Sequence, residues 1–315
     1  MRRHELPRTH AAGRTYLVTG STSGIGYFIA EQLARTGAHV ILTARTAGKA
    51  ELAQRAIRHS WPQAQLSTLS LDLADLSSVR AAAGHLATFA DRLDGVVLNA
   101  GVLAQQTRRE TVDGHELVYG TNHLGHFAFA AQIYPLLQNT LDSRIVTMSS
   151  YAARWATLDL TDLESSRAPY RGFATYKRSK LAQTIFAFEL DRRLRRGQSS
   201  VSSLLAHPGG ALDALSPKRP PMPVATTAQV LRARPLSLIA QGKDKAAWSA
   251  VRAVLDPQAH GGQLWGPRFL RSKGEPRQER PTAAMTDRVV AEQLWQLSED
   301  ATGVKWPSLS QPRRL

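Results

Sequence analysis

Short apolar runs alternate with stretches of helical periodicity along the first 210 residues. The runs are apolar throughout, which is typical of strands buried on both faces of a parallel sheet. The predicted strands cover residues 15–20, 38–44, 66–71, 94–101, 143–150 and 201–210. The predicted helices cover residues 24–36, 50–58, 77–90, 115–137 and 174–195. This order predicts an α/β protein with a doubly wound parallel sheet and helices on both faces.

The remaining segments suggest how the chain is organised. Residues 1–11 are polar and are expected to form a flexible tail. Residues 12–315 are predicted to form a single domain, because the part after the last strand is too short for a second core. Residues 215–235 are rich in proline and arginine. Since loops over an α/β sheet often cover a binding site, we expect a substrate loop or lid around residues 211–245.

Charge is unevenly distributed along the chain. The 315 residues carry a net charge of +15 and no cysteine, which excludes disulfides and thiolate chemistry. Residues 151–315 contribute +12 of this excess, which could attract an anionic substrate, a membrane surface or nucleic acid. A solvated arginine-rich surface is the favoured interpretation. No aromatic residues that would stack on bases interleave the arginines at 192–196, and we expect no nucleic-acid partner.

The apolar stretches are short. Residues 127–137 form the longest apolar-rich one, which is too short to span a bilayer and contains Gln132 and Pro135. No apolar region of a signal peptide follows the basic start of the chain. The sequence therefore predicts a cytoplasmic protein without stable membrane insertion.

A glycine-rich turn joins the first predicted strand to the first predicted helix. Glycines allow a tight turn and a close approach of the backbone to a pyrophosphate, and the helix N-terminus offers free N–H groups. The spacing is G-x-x-x-G-x-G, which differs from the commoner G-x-G-x-x-G. The predicted cofactor-binding residues of this turn are Gly20, Ser21, Thr22, Ser23, Gly24, Ile25 and Gly26.

The end of the second predicted strand bears on the choice of cofactor. A carboxylate there would hold the ribose 2′-hydroxyl of NAD. This chain instead has Arg45 after Ala44, and a guanidinium suits a 2′-phosphate. The sequence therefore favours NADP(H) over NAD, unless Arg45 is only a surface cation.

Tyr176 has three cations near it in the sequence, Lys177, Arg178 and Lys180. Each helical residue advances by about 100°, so only Lys180, four residues on, shares the face of Tyr176. A nearby ammonium lowers the pKa of a tyrosine, which would make Tyr176 a more effective acid or base near neutral pH. The pair alone is weak evidence, because seven tyrosines and eight lysines produce such a spacing by chance fairly often.

Two further polar positions lie in the right order for a site. Ser149 and Ser150 end a predicted strand at the carboxyl edge of the sheet, where open α/β sheets bind ligands. Asn122 interrupts an otherwise apolar helix and needs partners there. His123 and His126 stand three residues apart on that helix, but no third ligand at a suitable spacing accompanies them. No metal site is predicted.

These motifs together resemble the short-chain dehydrogenase/reductases. The resemblance covers residues 15–210 and is carried by the following segments: TGSTSGIG (19–26), LDLADL (71–76), NAG (99–101), TNHLGHF (121–127), RIVTMSS (144–150), Tyr176-x-x-x-Lys180 and HPGG (207–210). Residues 170–190 are most similar to the retinol dehydrogenase-like branch and its bacterial relatives. That branch tends to use NADP and bulky apolar alcohols or carbonyls.

The resemblance implies a Rossmann-type sheet of about seven strands and hydride transfer between a nicotinamide and a carbonyl/alcohol pair. It implies that Tyr176 is the acid/base, that Lys180 lowers its pKa and holds the nicotinamide ribose, that Ser150 orients the substrate oxygen and that Asn122 binds a relay water. It also implies cofactor contacts from Asp72, Leu73, Asn99, Ala100, Gly101, Pro208 and Gly209.

One departure from the family lies just after the Pro-Gly turn. Family members often place a threonine there beside the cofactor, whereas this chain has Asp213 near that position.

The predicted function is an NADP(H)-dependent ketone or aldehyde reductase, or alcohol dehydrogenase, for a bulky small molecule. The alternatives are a dehydratase, an epimerase or a double-bond reductase with the same residues, or a catalytically idle NADP-binding regulator. The sequence does not decide between a monomer and a homo-oligomer.

Overall fold

The computed structural model describes residues 10–167 and 169–309. Of the tail expected at residues 1–11, residues 1–9 lie outside the described part of the chain, as does Ala168, whereas Ala11 is buried and its N–H donates to the carbonyl oxygen of Thr36 at 3.0 Å. The predicted strands and helices are all present with shifted ends, except that the helix predicted at residues 115–137 is interrupted.

Eight strands form the central sheet, in the order β10-β9-β6-β5-β4-β1-β2-β3. They are β1 (Thr15–Val18), β2 (His39–Ala44), β3 (Gln65–Ser70), β4 (Gly95–Leu98), β5 (Arg144–Met148), β6 (Ser202–Ala206), β9 (Leu264–Phe269) and β10 (Lys273–Glu279). The separate strands β7 (Ala211–Leu212) and β8 (Gln241–Gly242) pair with each other. All pairs in the central sheet are parallel except β9 with β10. The expected count of about seven strands was one too low.

Helices cover both faces of the sheet. The longer ones are α1 (Gly24–Ala34), α2 (Ala47–Ser60), α3 (Leu76–Phe89), α5 (Gly125–Gln138), α6 (Gly172–Arg196), α9 (Trp248–Leu255) and α11 (Arg288–Thr302), and the shorter ones are α4 (Leu117–Tyr119), α7 (Thr227–Ala233), α8 (Lys243–Ala246) and α10 (Ala283–Thr286). On β1, Tyr16 and Val18 pack into one core and Leu17 into the core on the opposite face. Burial on both faces explains why β1, β4 and β5 are mostly apolar, whereas the edge strand β3 (QLSTLS) is partly exposed.

The helix predicted at residues 115–137 is not continuous. It begins at Leu117, widens into a π-helical turn at Gly120–Leu124 and continues as α5. Such wide turns inside helices often lie at functional sites, and this one contains Asn122.

The segment predicted as a lid contains the short strands β7 and β8, the capped helix α7 and the start of α8, separated by irregular stretches and 3-10 turns. Thr226 and Gln229 form reciprocal side-chain to backbone hydrogen bonds at the start of α7. The hairpin of β9 and β10 contacts the end of this segment, because Lys273 donates to the carbonyl oxygen of Ser237 at 2.6 Å and Ser272 donates to that of Ile239.

The edge strand β10 has the sequence KGEPRQE. It contains Pro276, and its pairing with β9 is irregular between Lys273 and Pro276.

Among the described residues, none of the helices combines the length and apolar character needed to cross a membrane. The cytoplasmic location and the single domain stay predictions.

Candidate active site

The glycine-rich turn lies between the end of β1 and the start of α1. Gly20 and Gly24 have φ values of 64° and 61°, which lie in the left-handed region that favours glycine. A Cβ on Gly26 would lie 2.3 Å from the carbonyl oxygen of Gly20 and 2.4 Å from Nδ2 of Asn99. All three glycines of the motif are therefore required by the backbone of the turn.

Two threonines that the motif analysis did not single out hold this turn in place. Oγ1 of Thr19 accepts hydrogen bonds from the backbone N–H groups of Asn99 and Ala100, at 2.8 and 2.9 Å. Oγ1 of Thr43, at the end of β2, accepts one from the N–H of Gly20 at 3.0 Å. Both threonines are buried. The sequence feature that could have identified these two threonines is a polar residue at the end of an otherwise apolar strand.

The start of α1 is suited to a phosphate group. Ser23 precedes the helix and makes no side-chain capping hydrogen bond, and the first turn contains no acidic residue. The first N–H groups of a helix have no partner within it and carry a partial positive charge. Of the other side chains in this turn, that of Ser21 is buried, those of Thr22 and Ile25 are half-buried, and that of Ser23 is exposed. The turn thus fits the pyrophosphate of a dinucleotide.

The predicted contacts to the adenosine end lie past β2 and β3. Arg45 is exposed directly after β2. The Asp72 carboxylate accepts a hydrogen bond from the backbone N–H of Ala74 at 3.0 Å, and the Leu73 side chain is buried. These residues share the edge of the sheet at which the glycine-rich turn lies.

Tyr176 and Ser150 meet at the carboxyl edge of the sheet. A hydrogen bond from Ser150 lowers the pKa of Tyr176, but burial raises it more, so the pKa lies above its ordinary value. Of the serine pair, Ser149 is turned away and bonds Thr184 at 2.6 Å. Of the two serines, Ser150 is thus the one beside Tyr176, and its role toward a substrate oxygen stays a prediction.

Lys180 is buried beneath the site and its ammonium bonds elsewhere than Tyr176. It donates to the carbonyl oxygen of Met148 at 3.0 Å and to Oε1 of Gln183 at 2.8 Å. Burial lowers the pKa of Lys180 to about 8. Burial and Ser150, and not Lys180, shift the pKa of Tyr176 in this structure, and the role of Lys180 toward that pKa stays a prediction.

A buried polar network continues from Lys180 to the glycine-rich turn. Gln183 contacts Nδ1 of His126 at 3.2 Å, and Nε2 of His126 contacts Oγ1 of Thr19 at 2.9 Å. Burial lowers the pKa of His126 to about 3, which leaves the imidazole neutral. His123 turns elsewhere and contacts Oγ of Ser298 at 2.8 Å. Because the two histidines point to different partners, they do not form a pair of metal ligands.

Asn122 fixes the turn that follows β4. Its Oδ1 accepts from the N–H of Val102 at 2.8 Å, and its Nδ2 donates to Val102 O at 3.1 Å and to Ser179 Oγ at 3.0 Å. A Cβ on Gly101 would lie 2.9 Å from Oδ1 of Asn122 and 3.6 Å from Nζ of Lys180. The turn at residues 99–101 thus connects the glycine-rich turn to Asn122 and Lys180.

The Pro-Gly turn after β6 closes the opposite side of the site. The carbonyl oxygen of Pro208 accepts from Nε2 of Gln241 at 3.1 Å. Gly209 has a φ of 68°, and a Cβ there would lie 2.3 Å from the carbonyl oxygen of Ser272. Asp213, at the position of the missing threonine, forms an ion pair with Lys243 at 2.6 Å.

The fold and the glycine-rich turn after its first strand define a dinucleotide-binding protein of the Rossmann class. Residues 14–212 match the family model described as short chain dehydrogenase. The chain belongs to the short-chain dehydrogenase family, which comprises oxidoreductases that use a nicotinamide cofactor.

Two curated relatives illustrate how far the similarity extends. Retinol dehydrogenase 14 of Mus musculus is 39% identical over 207 residues, which are 62% of this chain and 61% of that protein. The chain thus spans less than two thirds of that relative's length. Polyprenol dehydrogenase of Mus musculus is 33% identical over 287 residues, which are 90% of this chain and 82% of that protein.

Solved structures extend the similarity to the fold. A crystal structure of an uncharacterized protein from Mycobacterium paratuberculosis has a TM-score of 0.75 and 33% identity, and covers 94% of this chain and 96% of that one. The Pseudomonas aeruginosa RhlG/NADP active-site complex has a TM-score of 0.62, covers 82% of this chain and 96% of that one, and at 23% identity shows the fold alone.

Proposed function

We propose that this protein is an NADP(H)-dependent oxidoreductase acting on the carbonyl/alcohol pair of a bulky apolar small molecule. The observation that carries the proposal is the placement of Tyr176, on α6, beside Ser150, which follows β5, at the carboxyl edge of the sheet, where Ser150 lowers the pKa of the phenol. This pair lies on the same edge as the glycine-rich turn, where a dinucleotide fits.

Tyr176 is suited to donate a proton to a carbonyl oxygen. Burial raises the pKa of Tyr176, so the phenol is protonated at neutral pH and available as an acid. The Ser150 hydroxyl can donate a second hydrogen bond to the same carbonyl oxygen and so stabilise the charge that develops on it. The nicotinamide, when bound, supplies the hydride.

Lys180 and Asn122 would hold the site rather than contact the carbonyl. With a pKa lowered to about 8, Lys180 is still mostly charged at neutral pH, and its ammonium can hold the ribose hydroxyls of the cofactor. Asn122 has its amide engaged with Val102 and Ser179. It therefore fixes the turn after β4, and its backbone carbonyl oxygen is engaged as well, with Nδ1 of His126 at 2.8 Å.

The rim of the site favours an apolar substrate. Leu103, Trp155 and Phe173 are 72%, 60% and 62% exposed. The ring of Phe173 stacks with that of Tyr176 at a centroid distance of 6.4 Å. Exposed large apolar side chains beside a site indicate a ligand surface. The name of the polyprenol dehydrogenase relative supports long apolar alcohols and their aldehydes as the first class to test.

The test of this function is the oxidation of NADPH in the presence of carbonyl compounds of increasing apolar length. We expect turnover, with kcat/KM rising from short polar aldehydes to long apolar ones, because burial of each CH₂ contributes about 0.8 kcal/mol. A stable NADPH complex without turnover across the series would contradict the proposed enzymatic activity and would support a role in binding alone.

The choice of cofactor depends on Arg45. Arg45→Gln should raise KM for NADPH by about tenfold and leave KM for NADH unchanged, because a charge-assisted hydrogen bond contributes about 1.5–3 kcal/mol. Steady-state kinetics with both cofactors measures this. Arg58→Gln removes an exposed arginine from α2 with the same change in net charge and serves as control. A wild-type preference for NADH would show that the cofactor assignment is wrong.

A further inference from the structure

Asp213 and Lys243 are brought side by side by a small parallel sheet. Ala211 pairs with Gln241 and Leu212 with Gly242, so the next residue on each strand is one member of the ion pair. Nζ of Lys243 lies 2.6 Å from Oδ1 of Asp213. The Lys243 side chain is 21% exposed and that of Asp213 is 75% exposed. The cation is thus the inner member of the pair.

Lys243 lies over the glycine-rich turn. Its ammonium is 3.7 Å from the place that a Cβ would occupy on Gly24. The segment is fixed to the same helix, because Nε2 of Gln32 on α1 donates to the carbonyl oxygen of Asp244 at 2.7 Å. The backbone N–H of Lys243 also donates to Oγ of Ser216 at 2.8 Å. The position of the cation relative to the turn is therefore set by the fold.

The lysine and the turn both border a cavity that could take an anion. Ser23 and Gly24 line one side of a cavity of about 750 Å³, and Asp213 and Lys243 line another. The first turn of α1 has no acidic residue. Asp213 is the carboxylate paired with Lys243 there, and being mostly exposed it contributes little to holding the cation. A phosphate at the turn would compete for the ammonium on favourable terms.

We propose that Lys243 binds a phosphate group of the dinucleotide and that Asp213 is its counter-ion before the cofactor binds. This rests on the proposed function, since it deepens the description of the same cofactor site. It also accounts for the departure after the Pro-Gly turn. A carboxylate so near the cofactor would repel its phosphates, and the adjacent Lys243 ammonium would offset part of that repulsion.

The test is the dissociation constant of the full chain for NADPH and for NADH, measured by fluorescence titration without any substrate. Lys243→Gln should raise the dissociation constant about tenfold, because it removes a charge-assisted hydrogen bond. Lys243→Arg should restore most of the affinity. Asp213→Asn should lower the dissociation constant, because it removes the competing charge. All effects should shrink at high salt.

Lys245→Gln is the matched control, because Lys245 is exposed on the same short helix and its loss changes the net charge equally. Thermal unfolding of each variant confirms that it is folded. A loss for NADPH alone would identify the 2′-phosphate as the partner of Lys243, and a loss for both cofactors the pyrophosphate.

The proposal is overturned if wild type binds NADPH or NADH and Lys243→Gln binds as tightly, or if Lys245→Gln weakens binding as much as Lys243→Gln. The first of these outcomes leaves the proposed function intact. If wild type binds neither cofactor, the proposed function fails, and the inference fails with it.

Discussion

Tyr176→Phe should lower kcat for carbonyl reduction by roughly 10²–10⁴-fold, the usual contribution of a positioned general acid. The ring and its contact with Phe173 remain, so the fold and the affinity for NADPH should be close to wild type. Steady-state kinetics together with an NADPH titration separates the loss of proton transfer from a loss of binding.

Tyr170→Phe provides the control for this change. The Tyr170 hydroxyl donates to Oε1 of Glu116 at 3.0 Å, away from Ser150. Removing it should cost some stability and leave kcat near wild type. If Tyr176→Phe kept wild-type kcat while still binding NADPH, the assignment of the proton donor would be wrong.

Gly26→Ala should destabilise the protein by about 3 kcal/mol, the upper end of the usual cost of overpacking. The new Cβ would meet the backbone oxygen of Gly20 and the amide of Asn99 at less than 2.5 Å. Since neither can move without opening the turn, NADPH affinity should fall as well. Urea unfolding and an NADPH titration measure the two effects.

Gly48→Ala is the matched substitution. Gly48 lies in α2, and nothing stands within 4 Å of the place its Cβ would take. Alanine there should leave stability unchanged or raise it by up to about 1 kcal/mol. A Gly26→Ala variant as stable as Gly48→Ala would show that the glycine-rich turn tolerates a side chain and is not held as tightly as described.

The parallel core could be predicted because its strands are buried on both faces. The strands β1, β2, β4, β5 and β6 are buried over most of their length and mostly apolar, so that local periodicity is sufficient for them. The strands β9 and β10 could not be found in this way. LWGPRF contains glycine and proline, and KGEPRQE is polar. Their pairing depends on contacts with β6 and with each other, which a local pattern does not contain.

The same distinction applies to the site: features set by local spacing could be predicted from the sequence, and contacts between distant segments could not. Tyr176 and Lys180 share a helical face at a fixed spacing, so their placement follows from sequence. The partners of Lys180 come from β5 and from Gln183, and the direction of the Tyr176 pKa depends on how deeply the phenol is buried. The ion pair of Asp213 and Lys243 joins two distant segments. The spacing of residues along the chain does not predict such contacts.

The edge strand β10 has a consequence for self-association. An exposed strand edge can add a strand from another molecule, and proteins prevent this with proline, charge and irregular pairing. β10 combines Pro276, which has no N–H to donate, with an irregularity in its pairing and charged side chains such as Lys273 and Arg277. We therefore expect that two copies, if they associate, do not do so by extending the sheet across β10.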